Sequence, residues 1–103
     1  MKFRLSDAAE LDLENIYASG CRIFGPQQAD RYQDGLEAVF DFLARHPEAA
    51  RERTEIVPPV RAHPYRALVV IYVIQDGCIF IVRVRHGHEN WSADPAGPDA
   101  LDN

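Results

Sequence analysis

The stretch that decides the fold spans residues 67–86 and reads ALVVIYVIQDGCIFIVRVRH. Two runs rich in β-branched and aromatic residues flank Gln75-Asp76-Gly77, and a Gly-bearing turn between such runs predicts a β-hairpin. Neither run alternates polar with apolar residues, so neither face of the hairpin is suited to contact with water. The pattern therefore predicts strands that are covered on both faces, and it raises the question of what covers the second face.

Two amphipathic segments precede the hairpin and predict two helices. Ser6 or Asp7 caps the first helix, whose apolar stripe includes Phe24, and Gly25-Pro26 separates it from the second. A link this short indicates a helical hairpin. The carboxylates of both helices, Asp12 among them, are expected on the faces that contact solvent.

Further strands are indicated at two places. Lys2-Phe3-Arg4-Leu5 alternates polar with apolar residues, as a half-buried strand does. The charged residues 48–55 are typical of a loop, and the prolines at 58 and 59 exclude a central strand until about Val60–His63. The order strand, helix, helix, then two or three strands predicts an α+β protein with the helical hairpin packed on one face of a small antiparallel sheet.

Composition limits the class of protein. We expect one domain over residues 1–92 and a flexible C-terminal tail over residues 93–103, which contain Pro95, Gly97 and Pro98. The formal net charge of −5 disfavours broad contact with nucleic acid. No apolar run reaches the roughly 18 residues of a membrane span, and no leader segment is evident. With two cysteines in no metal or redox spacing, we expect reduced thiols in a cytoplasmic protein.

Basic residues surround the predicted sheet. The candidates for a functional or partner-contact surface are Arg61, Arg66, Arg83, Arg85 and His86. In a regular strand Arg83 and Arg85 share one face, whereas Val82, Val84 and His86 share the other. These cations either contact an anion, RNA or an acidic partner, or they are edge charges that pair with nearby glutamates and prevent aggregation.

No motif indicates a metal, a cofactor or a catalytic nucleophile. The segment His86-Gly87-His88-Glu89 offers too few ligands for zinc without a third donor from elsewhere. The chain has neither a phosphate-binding glycine loop nor a nucleophile elbow. We therefore expect no cofactor, no metal and no catalytic residue.

A series of short motifs extends along nearly the whole chain, over residues 2–92. The motifs are Asp12-Leu13-x-x-Ile16-Tyr17, Phe24-Gly25-x-x-Gln28-Ala29-x-x-Tyr32, Leu36-x-x-Val39-Phe40-x-x-Leu43-Ala44-x-x-Pro47 and Ile81-Val82-Arg83-Val84-x-His86. In this order and spacing they resemble the ParE branch of the RelE/ParE superfamily, the toxins of bacterial type II toxin–antitoxin systems.

The resemblance implies a β-α-α-β-β-β fold and a cognate ParD-like antitoxin whose C-terminal segment wraps the toxin in a hetero-oligomer. It implies DNA gyrase as the target, inhibited by binding and not by enzymatic catalysis, with DNA contacted only through the antitoxin. The apolar surface of the hairpin then becomes a docking site for an antitoxin helix or strand. The candidate antitoxin-facing residues are Leu68, Val70, Tyr72, Phe80 and Trp91.

Two alternatives remain open at this point. The related RelE branch cleaves messenger RNA on the ribosome with basic residues and a C-terminal tyrosine. Arg66 matches one of those arginines, but residues 86–89 read His-Gly-His-Glu where a second is expected, and no tyrosine follows Tyr72. The gyrase hypothesis is therefore favoured over an endoribonuclease. The other alternative is a degenerate toxin that retains only antitoxin binding.

Overall fold

A computed structural model, which describes residues 1–97, has two helices packed on a five-stranded sheet. In chain order the elements are β1 (Lys2–Leu5), α1 (Asp7–Phe24), α2 (Pro26–Arg45), β2 (Glu52–Arg53), β3 (Val60–Tyr65), β4 (Leu68–Gln75), β5 (Cys78–His86) and a 3₁₀ helix (Trp91–Ala93). The strand order is β1-β5-β4-β3-β2. The predicted α+β class and the helical hairpin on a sheet are confirmed.

Two details of the sheet differ from the prediction. β1 pairs with β5 in parallel, so the sheet is mixed and not antiparallel. The expected loop over residues 48–55 contains the short strand β2, which pairs with β3. A pattern of apolar residues shows which face of a strand is buried. It does not show whether the neighbouring strand in the sheet runs parallel or antiparallel to it.

Local signals set the element boundaries as the sequence predicts. The Ser6 hydroxyl accepts a hydrogen bond from the backbone N–H of Ala9 at 2.9 Å and caps α1. Gly25, at φ +90°, separates the two helices, and Pro26 occupies the first turn of α2. Asp76 and Gly77 both have positive φ, which is the type I′ geometry that favours Asp-Gly in a two-residue hairpin loop.

The main core lies between the helices and one face of the sheet. Leu36, Phe40 and Leu43 of α2 pack there against apolar side chains of β4 and β5. Leu68, Val70 and Tyr72 of β4 belong to this core and are 0–2% exposed. The prediction that these three residues face an antitoxin is wrong, because the helical hairpin of the same chain covers them.

The second face of the sheet is covered by the chain itself. Ile56, Val60, Ile71 and Trp91 form a second buried cluster there, and the Arg53 guanidinium lies 5.0 Å from the centre of the Trp91 ring. Trp91 is therefore a core residue, which corrects its expected role as an antitoxin-facing residue. The doubly apolar hairpin needs no partner protein to cover Ile71.

Phe80, the fifth residue predicted to face the antitoxin, lies in β5 and is half-buried. The Arg4 guanidinium lies 5.8 Å from the centre of its ring. Phe80 pairs across the sheet with Val73, which packs against the second cluster. Its role in antitoxin binding stays a prediction.

A β-bulge interrupts the pairing of β4 with β5. Tyr72 pairs with Ile81 while Ile71 pairs with Arg83, so Val82 has no partner on β4. Val82 packs against the second cluster, whereas Val84 packs in the main core. The expectation that Val82 and Val84 share a face is therefore wrong, because one extra residue reverses the alternation of side chains.

The C-terminal part of the described chain contacts the sheet. The Ala96 carbonyl accepts a hydrogen bond from Arg83, and the Asp94 carbonyl accepts one from Arg85. The rest of the predicted tail, residues 98–103, lies outside the described residues. None of the helices within residues 1–97 is both long enough and apolar enough to cross a membrane.

Replacing Tyr72 by Phe tests whether its hydroxyl stabilises the fold. The hydroxyl donates to the Pro47 carbonyl at 2.8 Å and accepts from the Ala50 N–H at 3.4 Å, and burial raises the pKa of the phenol, so it stays a donor. We expect Tyr72→Phe to lower the free energy of unfolding by about 1–2 kcal/mol in urea denaturation. Tyr17→Phe removes an exposed bond to Asp30 and should cost less. Equal losses in both variants would contradict this prediction.

Candidate functional site

A groove of about 860 Å³ opens between the helical hairpin and the ends of β4 and β5. Side chains of both helices form one wall, and the β3–β4 turn with the last residues of β5 forms the other. A concave surface of this size with both apolar and charged lining is suited to bind a ligand or a partner segment. We call it the hairpin groove, after the helical hairpin that forms one of its walls.

The apolar part of the hairpin groove lies at the end of α1. Ile23 and Phe24 line it, and each is 64% exposed. Phe24 was expected on the buried stripe of α1 and is not. The sequence contained a signal for this surface, because two consecutive large apolar residues just before Gly25 cannot both face the same core.

The charged part of the hairpin groove includes four of the five predicted surface residues. Arg66, Arg83, Arg85 and His86 line the groove, together with Arg31 of α2, which the sequence analysis did not single out.

Arg61 lies elsewhere, on β3, where its guanidinium donates to the Ala50 carbonyl at 2.7 Å. The predicted cations therefore do not form a single cluster. The sequence places all five near the sheet, but it does not show which ones the helices face.

Arg83 is held in a buried ion pair with Asp12. Its Nε and Nη2 atoms lie 2.7 and 2.8 Å from the two carboxylate oxygens, and the side chains are only 3% and 5% exposed. The carboxylate also accepts the Val84 N–H at 3.0 Å, and Arg83 Nη1 donates to the Ala96 carbonyl at 2.9 Å. Arg83 is therefore engaged within the fold.

Asp12 corrects the expectation that the helix carboxylates contact solvent. It follows Ala9, the most buried residue of α1, by three positions, and residues three apart share a helix face. This spacing is the signal that could have identified it. Its partner, 71 residues away in sequence, could not be read from the same pattern.

Arg85 and His86 are tied to Glu89. Arg85 donates to the Glu89 carboxylate at 3.2 Å, and the His86 backbone N–H donates to it at 2.9 Å. Burial alone would raise the pKa of the Glu89 carboxyl, yet these two donors hold it below its ordinary value. The two bonds to the Glu89 carboxylate are therefore fully formed at pH values above the ordinary pKa of a glutamate. They are lost as the pH falls through the lowered pKa of Glu89. The imidazole of His86 remains exposed.

The groove offers cation and apolar contacts in place of metal ligands. His86 and His88 lie with their ring centres 5.4 Å apart. Within residues 1–97, no group of three or more His, Cys, Asp or Glu side chains is close enough to hold a metal ion. What this arrangement can do chemically is bind a segment that presents apolar and acidic side chains.

Comparison with known proteins assigns the family. The sequence model described as the ParE toxin of type II toxin–antitoxin system, parDE, matches residues 3–91. The chain belongs to the ParE toxin family. It is a ParE toxin of a type II toxin–antitoxin system, as the motifs in the sequence predict.

Named relatives agree with this assignment. Toxin ParE1 of Mycobacterium tuberculosis is 33% identical over 86 residues, which are 82% of this chain and 88% of the relative. Toxin ParE3 of Caulobacter vibrioides is 26% identical over 82 residues, 80% of this chain and 82% of the relative. A solved structure described as a chromosomal ParDE TA system from P. aeruginosa has a TM-score of 0.73 at 20% identity, covering 84% of this chain and 95% of that one. This likeness supports the fold.

The buried ion pair gives a prediction about stability. Arg83→Met leaves the Asp12 carboxylate buried without its counter-charge and should lower the free energy of unfolding by about 3–5 kcal/mol. Asp12→Asn, added to that variant, keeps an oxygen acceptor for the Val84 N–H and removes the uncompensated charge, so the double variant should be more stable than Arg83→Met alone. Urea denaturation followed by circular dichroism measures both.

The matched control is Arg51→Met. Arg51 pairs with Glu55 at 3.3 Å on an exposed surface, with side chains 70% and 55% exposed. We expect this variant to change the free energy of unfolding by about 0.5 kcal/mol or less. Similar small losses for Arg83→Met and Arg51→Met would show that the buried pair does not stabilise the fold.

Proposed function

We propose that this ParE toxin acts in the cytoplasm, inhibits DNA gyrase by binding to it, and is neutralised by a ParD-like antitoxin that occupies the hairpin groove. The chain needs no cofactor for this and contacts DNA only through the antitoxin. The observation that carries the antitoxin part is the composition of the groove, which is lined both by exposed Ile23 and Phe24 and by the cations Arg31 and Arg66. An amphipathic, acidic segment is complementary to that lining.

The family relationship and the site chemistry support an inhibitor over a nuclease. A solved relative is described as a ParDE system, which pairs a toxin with an antitoxin in that organism. Cleavage of RNA would need several cations free to contact phosphate, yet Arg83 is 3% exposed and bonded to Asp12 and Ala96, and Arg85 is paired with Glu89, which leaves two of the four arginines of the groove for such contacts. The guanidinium of Arg83 is therefore not available to a substrate in this conformation.

The gyrase proposal is tested with the purified chain in a supercoiling assay on relaxed plasmid. We expect supercoiling to stop in the presence of the toxin. It should resume when the candidate antitoxin is added, which is the protein encoded by the reading frame adjacent to the gene of this chain and is called the adjacent-frame protein below. Normal supercoiling at saturating toxin would reject gyrase as the target.

A companion experiment separates the alternatives. Expression of the chain without its antitoxin should arrest growth, and mapping of transcript ends should show no new cuts. Cuts in phase with translating ribosomes would instead support an endoribonuclease. Antitoxin binding with no effect on growth would support a degenerate toxin.

The apolar end of the groove gives a prediction about binding. Phe24→Asp places a charge on a side chain that is 64% exposed, so the fold should tolerate it. Because that charge opposes apolar contact and repels an acidic segment, we expect the affinity for the adjacent-frame protein to fall by about 10-fold or more in calorimetry.

Val57→Asp is the matched control for this prediction. Val57 is 89% exposed and lies outside the hairpin groove. The same substitution there should leave the affinity unchanged. If Val57→Asp weakened binding as much as Phe24→Asp, the effect would come from net charge and not from the groove.

A further inference from the structure

Arg66 has a backbone conformation that its residue type disfavours. It is the first residue of the two-residue turn between β3 and β4, with φ +53°. Within residues 1–97, Asp76 is the only other non-glycine residue with positive φ. A two-residue hairpin loop with positive φ at its first position favours Gly there. The turn itself would therefore form more readily with a residue other than Arg.

The side chain of Arg66 is not used to hold the fold together by charge. Among the residues that the structure describes, Arg83 and Arg85 both form ion pairs, whereas Arg66 forms none. Its guanidinium lies 5.7 Å from the centre of the Tyr65 ring, and the residue is exposed. The contact with the Tyr65 ring can stabilise the turn but does not neutralise the charge, so the guanidinium of this strained turn stays available to an acidic partner.

The position of Arg66 shows what it would contact. It lines the hairpin groove near the point where Leu68 pairs with His86, and Arg31 lines the opposite, helical wall. Gln33 also lines the groove, and its Oε1 atom is buried without a hydrogen-bond partner. The groove thus offers a guanidinium fork, which fits a carboxylate, and separately an unpaired acceptor oxygen, which would need an N–H or O–H donor.

We propose that Arg66 determines partner specificity in the hairpin groove, by presenting its guanidinium to an Asp or Glu side chain of the bound antitoxin segment. This inference rests on the proposed function and names the recognition chemistry of the same site. The turn places the Arg66 side chain on the wall of the groove, and the exposed side chains of Ile23 and Phe24 are available to apolar residues of the same segment.

The test compares two substitutions that affect the turn differently. Arg66→Gly removes the guanidinium and relieves the positive φ, whereas Arg66→Ala removes the guanidinium and keeps the disfavoured backbone. We expect both to weaken binding of the adjacent-frame protein by about 10- to 100-fold, because a charge-assisted hydrogen bond is lost. The melting temperature of Arg66→Gly should equal or exceed that of the unsubstituted chain, and that of Arg66→Ala should not exceed it.

Asp76→Gly is the matched control, because Asp76 also has φ +53° but lies in the turn at the other end of β4. It should leave the affinity unchanged. A charge exchange then identifies the contact: each Asp or Glu of the antitoxin segment is changed to Arg and tested against Arg66→Glu, and one of them should restore binding.

The outcomes separate the two proposals. If the unsubstituted chain binds and both Arg66 variants bind within twofold of it, the role of Arg66 is rejected while the antitoxin partnership stands. If the unsubstituted chain does not bind the adjacent-frame protein, the antitoxin proposal is rejected and the role of Arg66 with it. Loss of affinity in Asp76→Gly to the same degree would show that turn geometry, and not the guanidinium, controls binding.

Discussion

The buried ion pair between Asp12 and Arg83 is the interaction on which the rest of the structure depends. β1 accompanies β5 only as far as Ile81, so the edge of β5 beyond that point has no neighbouring strand. There Ser6 donates to the Val82 carbonyl at 2.6 Å, and Asp12 accepts the Val84 N–H. The start of α1 thus replaces the missing strand, which fixes the helical hairpin against the sheet and leaves the hairpin groove beside it.

The groove can be predicted only in part from the sequence. The hairpin over residues 67–86, the Ser6 cap and the Gly25-Pro26 break follow from local patterns, because turns and caps depend on neighbouring residues. The Asp12–Arg83 pair joins residues 71 positions apart, so no periodic pattern in the sequence indicates it. The parallel direction of β1 and the bulge at Val82 likewise depend on how distant elements meet. Local periodicity therefore predicts the elements and their buried faces, but it does not predict contacts between residues that are distant in sequence.

Both faces of the β-hairpin formed by β4 and β5 are covered by the chain itself. For this reason the many apolar residues of the β-hairpin do not identify the binding surface. Tyr72 and Ile71 are adjacent in β4 and both fully buried, yet they belong to separate clusters on opposite faces. One cluster is completed by the helices and the other by Ile56 and Trp91. Because one short chain covers both faces, the exposed apolar surface that remains in the groove comes from α1, at Ile23 and Phe24.

The arginines of the groove fall into two groups, those that form ion pairs within the fold and those that do not. Arg83 and Arg85 are neutralised by Asp12 and Glu89, so their charge is used to position the groove wall. Arg31 and Arg66 form no ion pair within residues 1–97, so they concentrate positive potential in the groove of a chain whose net charge is −5. A local potential of the opposite sign to the whole molecule favours an acidic segment at this groove while the rest of the surface repels it. Electrostatics of this kind orients a partner before apolar contacts form, which suits a groove that combines unpaired cations with exposed apolar side chains.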